Sequence, residues 1–513
     1  MWFDQKVRAG ERWDAAIDER LKSARAVIVC WSRRSVQSPW VLWEATYAQQ
    51  AGVMAPVFLE LCTAPGPLSF VQGAQLADWR GQAGHQGWLK LLAEVERLLR
   101  RTDLILQEEQ RAAAERAGGV IHRSVASFRA QKAKRRKHRI LSIDGGGPRA
   151  IISLQFLRRI ERMLAARSPN PNTFVLADYF DLIGGTSTGA IIAACLAIGM
   201  KTDAIDDAFR VIVQNWYGGN LFSRWFKPPQ TRLDILNLVG QRLLGSDDFL
   251  TGFAACIKRL DTGNIWIVTN NPFVKYWNST EGMAGNRDMS LVNALVACVG
   301  GPATAYAILA EVHDGTYMLC VDGAVGGLID PSLQLLMAGT LPPFGLNWET
   351  GSEKLMLISV GSGHWRPRLS YESLGFMPHQ RMTRIVLDNL RSDLLGQNIG
   401  LLQALGKSAH PVVINSEVGS MEDCLIPPEP LFTYQRYHTS LASDSLREGL
   451  GLEYSEVEAN KLRSDFIGPD VQNNLRTIGI AAAERAVREE DFPALFDVHL
   501  ELAEGSQSVE LVN

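Results

Sequence analysis

The sequence predicts an α/β protein made of two α/β segments in series, and three features carry that prediction. Short apolar runs of strand length, such as Ala26–Trp31 and Ile140–Ile143, alternate with longer stretches whose apolar residues recur at helical spacing. At Asp144–Ala150 and again at Gly185–Gly189, a glycine-rich turn leads directly from a strand-like run into a helix-like one. The 513 residues are 46% hydrophobic and 21% charged, the composition of a globular chain long enough for a large core and more than one domain.

The first segment runs to residue 103. Glu11–Ala24 is amphipathic, Ala26–Trp31 reads as a buried strand, Trp40–Gln50 returns to a helical pattern, and Val53–Leu61 is again strand-like. The stretch Ala9-Gly10-Glu11-Arg12-Trp13, the strand ending at Trp31-Ser32, and Ser38-Pro39-Trp40-Val41-Leu42-Trp43-Glu44 resemble a Toll/interleukin-1 receptor (TIR) domain of flavodoxin-like order. In enzymatic members of that family the glutamate of the Trp-x-x-x-Glu pattern cleaves NAD, and Glu44 holds that position; the resemblance also implies self-association through this segment. The family's opening strand and first helix would precede Met1, so an incomplete domain is expected over residues 1–103. The other reading of Glu44 is a helix carboxylate beside a core-facing Trp40.

Residues 104–139 read as a helix of Ala, Glu, Gln and Arg passing into a basic run. Arg129, Lys132, Lys134, Arg135, Arg136, Lys137 and Arg139 stand there with no acid among them. Two readings follow: a solvated interdomain linker, or a contact with anionic headgroups or nucleic acid. No aromatic residue interleaves the run after Phe128, which argues against nucleic acid.

The second segment opens with the strand Ile140–Ile143 and the turn Asp144-Gly145-Gly146-Gly147-Pro148-Arg149-Ala150. A helix follows, with Ile151, Ile152, Leu154, Leu157, Ile160 and Leu164 at helical spacing. Such a turn brings several backbone N–H groups to one point, which suits either a pyrophosphate or a developing oxyanion. The dinucleotide reading lacks the acidic residue expected about 20 positions later, because Glu161 still lies in the helix. The oxyanion reading gains a nucleophile downstream. Tyr179–Gly184 is an apolar run, Ala190–Ile198 another, and between them Gly185-Thr186-Ser187-Thr188-Gly189 has the form of a nucleophile elbow that exposes Ser187 at a helix start.

No histidine after the elbow stands in a catalytic context. Asp322 is the better base, since Leu319-Cys320-Val321-Asp322-Gly323-Ala324 is an apolar strand that stops at a carboxylate beside two small residues. These three motifs, in this order, resemble the patatin-like phospholipases. That family carries a glycine-rich oxyanion loop, a Gly-x-Ser-x-Gly elbow and an Asp-Gly-Gly/Ala motif, and works with a Ser/Asp dyad. Ala297–Thr304 and Ser359-Val360-Gly361-Ser362-Gly363 are similar to further segments of it.

The resemblance covers residues 140–370 and, more weakly, a mostly helical part at 371–513, where Met382–Ala404 and Glu456–Glu490 are helix-forming stretches that would cover one face of the sheet. It implies an α/β/α sandwich and a lipid acyl hydrolase acting on phospholipid or another acyl ester. Coupled to the TIR-like segment it resembles membrane-damaging bacterial antiphage effectors, and the alternative is a signalling or scaffold protein in which the TIR-like segment recruits partners and the esterase-like domain is a binding module. Ser187 would be the nucleophile, Asp322 the base, and the amides of Gly145, Gly146 and Gly147 the oxyanion hole. Asp144, Arg149, Gly185, Gly189 and Gly323 would support the motifs, with Arg149 holding the loop, a lipid phosphate or a surface ion pair. Ala150 stands where the family has glycine, which is compatible with oxyanion amides drawn from residues 145–147. Aromatic residues and cations in Asn215–Pro229 suit either a flap over an acyl pocket or a loop packed on the core.

A formal net charge of −3 excludes a generally basic nucleic-acid binder. Seven scattered cysteines without a Cys-x-x-Cys pair predict a reducing compartment, the cytoplasm, and no zinc site. The N-terminus lacks a signal-peptide pattern, and no apolar run approaches the roughly 18 residues of a membrane span. A membrane would therefore be met peripherally. No metal or organic cofactor is expected.

Overall fold

Strands form where β-branched and apolar residues cluster, and glycine-rich turns lead from the strands His138–Ile143 and Leu182–Thr186 into helices. The computed structural model describes residues 24–65, 72–99 except 83, 135–217, 228–278, 285–299, 308–313, 316–366, 379–464 and 468–498, with Leu21, Leu68 and Lys132. The predicted helices at 11–24 and 104–131, the small-residue segment beyond Val299 and the aromatic stretch 218–227 lie outside these residues in whole or in large part. The chain divides into two compact units, Met1–Gly119 with Phe226–Leu233, and Val120–Trp225 with Asp234–Asn513.

The first unit holds β1 (Val27–Trp31), α1 (Pro39–Gln50), β2 (Met54–Phe58) and β3 (Ala74–Gln75), with a helix at 86–99. Its strands pair in parallel in the order β1-β2-β3. Ser38 caps α1 by accepting from the Val41 N–H, and Pro39 fits the first turn because that position needs no donor. The buried stripe of α1 is Ala45 and Ala48, packed with Trp31. Trp40 is 55% exposed and not core-facing, because the inward face of α1 is taken by Val41, Leu42, Ala45 and Ala48.

In the second unit the strands are β4 (His138–Ile143), β5 (Leu182–Thr186), β6 (Gly252–Arg259), β7 (Ile265–Thr269), β8 (Ile308–His313), β9 (Thr316–Asp322), β10 (Leu355–Val360) and β11 (Thr433–Tyr437). They run in the order β11-β10-β4-β5-β6-β9-β8, parallel from β11 to β6 and antiparallel beyond, with β7 paired to β6. Alternate residues of each strand face opposite layers. Leu141, Ile143 and Ile183 point to the layer built by α2 (Ala150–Arg167) and α3 (Thr188–Ala197), whereas Ile140 and Leu182 point to the layer of α4 (Ser332–Thr340). The result is the expected α/β/α sandwich.

The stretch Met382–Ala404 is one helix, α5 (His379–Leu405), as its pattern predicts. Glu456–Glu490 is instead two helices, Glu456–Leu462 and α6 (Pro469–Ala486), because Gly468 and Pro469 start a new first turn. α6 packs on α2, Gly479 lying against Gln155 and Ile152, so this part of the tail covers a helix more than the sheet. The tail also contributes β11, which pairs with β10.

Lys132, Arg135, Lys137 and Arg139 of the basic run are engaged by the second unit rather than solvated, whereas Arg136 is exposed. Lys132 donates to the Phe180 carbonyl and to the Thr251 hydroxyl, Arg135 to Asp181 at 2.5 Å, and the fully buried Arg139 to Asp181 and to the Phe496 carbonyl. Burial alone would raise the Asp181 carboxyl, but Arg135, Arg139 and Lys132 hold it down at about 2. Its stabilising contribution is therefore present above the ordinary carboxylate range and is lost as pH falls toward 2. Asp181→Asn strands buried cations and is expected to lower unfolding free energy by about 3 kcal/mol in denaturant titrations near neutral pH.

Candidate active site

β5 is the five-residue run Leu-Ile-Gly-Gly-Thr, buried along its length, and the chain turns at its end into α3. Ser187 makes the turn with φ 56° and ψ −130°, a conformation that a side-chain-bearing residue adopts only under constraint from its surroundings. The constraint is close packing. A Cβ on Gly185 would lie 2.3 Å from the Gly189 backbone, and one on Gly189 would lie 2.4 Å from the Asp144 carbonyl oxygen. Both glycines are thus fixed by backbone approach, with no positive φ involved. Ser187 caps α3, whose first-turn amides add positive potential at its hydroxyl.

Sheet register brings Asp322 to the same level. β7 covers one side of β6, so β5 and β9 share the other: Thr186 pairs with Cys256, and at the next residue, Ile257, the partner on that same side is Asp322, which brings Asp322 next to Ser187. The Ser187 hydroxyl acts on the Asp322 carboxylate as a hydrogen-bonding neighbour, and no histidine intervenes. Asp322 also accepts from the Ala324 N–H at 2.9 Å. Gly323 lets the chain turn there, since a Cβ would meet the Cys256 carbonyl oxygen at 2.4 Å. Burial is the largest influence on Asp322 and pushes it up to about 6, against the Ser187 hydroxyl, the Ala324 amide and Arg391 on α5. A base with that pKa is ionised above pH 6, so kcat/KM for ester hydrolysis is expected to fall as pH drops through about 6, as an initial-rate profile would show.

The glycine-rich loop lies beside the elbow, with Gly145 against Ser187: a Cβ on Gly145 would sit 3.2 Å from the Ser187 Cβ. Of the three expected oxyanion amides, that of Gly145 is engaged, donating to the Ile329 carbonyl at 2.9 Å. Among the described residues, the Gly146 and Gly147 amides carry no such bond. Of the three expected amides, those of Gly146 and Gly147 are thus left unengaged. Gly147 has φ 56°, which favours glycine, and opens the short 3-10 turn that carries Pro148 and Arg149 into α2. Arg149 lies over the Trp365 ring at 4.8 Å and donates to the Arg463 carbonyl, contacts that pack the loop.

Beneath the loop is a buried ionic cluster. Arg436 on β11 reaches across β10 to Asp144 with two bonds, 2.7 and 2.5 Å, and donates to Ser359 at 2.6 Å. Asp330 lies 3.6 Å from the same guanidinium and accepts from Ser332 and Ser359. Burial pushes the Asp144 carboxyl up; it also opposes charge on Arg436, but Asp144 and Asp330 hold that guanidinium above its ordinary value, so it stays cationic. Asp144 is thus a support that anchors the loop from below. Sequence reading missed Arg436, Asp330 and Ser359; the aromatic run Thr433–Tyr437 has strand character, but Gln435 and Arg436 break the apolar pattern of a buried strand.

Glu44 lies half-buried on α1 in the first unit. Among the described residues no group of acids, histidines and cysteines could hold a metal ion, and no helix is long and apolar enough to cross a membrane.

Residues 141–328 match the family model of patatin-like phospholipases, and residues 1–92 match that of the TIR domain. The chain is 30% identical over 237 residues to Patatin-17 of Solanum cardiophyllum, covering 44% of this chain and 60% of that protein. It is 26% identical over 239 residues to Patatin-1-Kuras 2 of Solanum tuberosum, covering 44% and 62%. A shorter stretch, 72 residues at 44% identity, matches a cGAMP-activated phospholipase of Vibrio cholerae, covering 14% of this chain and 20% of that one. The chain thus spans about 60% of the plant relatives' length and a fifth of the bacterial one.

Proposed function

We propose that this chain, with a patatin-like phospholipase segment at 141–328 and a TIR segment before it, is a serine lipid acyl hydrolase working through a Ser187/Asp322 dyad. The observation that carries the reading is one juxtaposition: a serine on a strained elbow, a carboxylate with a pKa raised to about 6 on the same side of β6, and two unengaged loop amides beside both. Ser187 Oγ attacks the ester carbonyl while Asp322 takes its proton. The tetrahedral oxyanion accepts hydrogen bonds from Gly146 and Gly147. Collapse breaks the acyl–oxygen bond, and the proton on Asp322 passes to the departing alcohol. Water, deprotonated by Asp322, then attacks the acyl-serine; the acyl–Oγ bond breaks, Asp322 returns that proton to Ser187 Oγ, and the fatty acid leaves.

Phospholipid is the substrate class that the relatives' names support, and action on a membrane from its surface follows from it. The TIR segment and the cGAMP-activated relative favour a hydrolase under signal control, as a membrane-damaging effector requires. The test is product analysis of phosphatidylcholine/phosphatidylglycerol vesicles incubated with the full chain, with and without cyclic dinucleotides, beside a parallel incubation with NAD. Free fatty acid with lysophospholipid supports the reading. Intact lipid in every arm overturns it, and NAD loss abolished by Glu44→Gln would favour the TIR segment as the enzyme.

A further inference from the structure

We infer that Ser362 is a positioning residue for the oxyanion loop: its hydroxyl fixes the Gly145–Gly146 peptide so that the Gly146 N–H faces Ser187. The inference rests on the hydrolase reading and deepens it. β10 and β4 pair in parallel up to Val360 and Ile143, and the pairing continues past the strand ends, where the Asp144 N–H donates to the Val360 carbonyl at 2.9 Å. Two residues on, the buried Ser362 hydroxyl donates to the Gly145 carbonyl at 2.9 Å.

The two loops are in tight contact, since a Cβ on Gly146 would fall 2.0 Å from Ser362 Oγ. That approach leaves no room for a side chain at Gly146. The receiving loop is itself held, because Ser153 on α2 donates to the Gly361 carbonyl at 3.1 Å.

Peptide geometry turns that contact into a direction. No peptide bond among the described residues is cis, so the Gly145 C=O and the Gly146 N–H lie in one plane and point oppositely. In the sheet β10 is on one side of β4 and β5 is on the other. With its carbonyl drawn toward the end of β10, the peptide turns its N–H toward the end of β5, where Ser187 stands. Without the Ser362 hydroxyl, a glycine-flanked peptide rotates at little steric cost, and the donor no longer aims at one place.

Removing an oxyanion donor outright costs about two to three orders of magnitude in rate. Misaiming one through Ser362→Ala is expected to lower kcat about tenfold to a hundredfold with KM within about twofold. Ser362→Cys, which keeps the shape with a somewhat larger atom and weakens the donor, is expected to do the same, and Ser362→Thr to recover most of the loss. A second readout separates aim from general damage. Sulfur accepts hydrogen bonds poorly, so the wild type should prefer an oxoester to the matching thionoester, and the Ala and Cys variants should lose much of that preference.

Folded Ala and Cys variants with kcat within twofold of wild type, or an equal loss on both esters, overturn the role of Ser362. If Ser362→Ala does not fold, the Cys variant decides by the same criteria. A wild type inert to both esters overturns the hydrolase reading, and with it the reaction that Ser362 would serve.

Discussion

Ser187→Ala is expected to lower fatty acid release from phospholipid vesicles by at least about a thousandfold, with thermal unfolding unchanged. The hydroxyl is the atom that forms the covalent intermediate, and deleting it from a residue that is 6% exposed leaves packing almost intact. Asp322→Asn keeps the shape of the carboxylate and removes its basicity, so a comparable loss is expected. Because the two groups serve one proton transfer, the double variant should be little worse than either single one. Either folded single variant retaining more than about a tenth of wild-type turnover would exclude the dyad.

Arg436→Met should damage both fold and activity. It leaves Asp144 and Asp330 buried without their cation, and the expected cost is about 3–5 kcal/mol in denaturant unfolding. Turnover should fall as well, because Asp144 anchors the loop that carries Gly146 and Gly147. Adding Asp144→Asn to Arg436→Met should regain part of the stability, since a neutral amide costs less to bury than an unpaired carboxylate. If the double variant is less stable than Arg436→Met, the ion pair is not what holds this region.

Much of the site was legible because its chemistry is local. The strand, turn and helix that present Ser187 occupy contiguous residues, and Asp322 ends an apolar strand next to a small residue. What the sequence hid depends on partners far along the chain. Nothing near Gly145 shows that its amide is taken by Ile329, and nothing near Lys132 or Arg135 shows that Asp181 neutralises them. Trp40 was misjudged because α1 buries a different stripe from the one its aromatic residues suggested. β11 went unread because its Arg436 is buried only in the company of two acids on other elements.

That late strand also sets when the molecule becomes competent. Asp144 and Arg436 are 292 residues apart, so at ribosomal rates of about 5–20 residues per second some 15–60 seconds separate their synthesis. During that interval the loop beside the elbow exists without its anchor. On the hydrolase reading proposed above, a nascent chain is expected to be inert toward lipid until β11 docks, and a polypeptide truncated ahead of Arg436 is expected to lack lipid hydrolysis when assayed on vesicles.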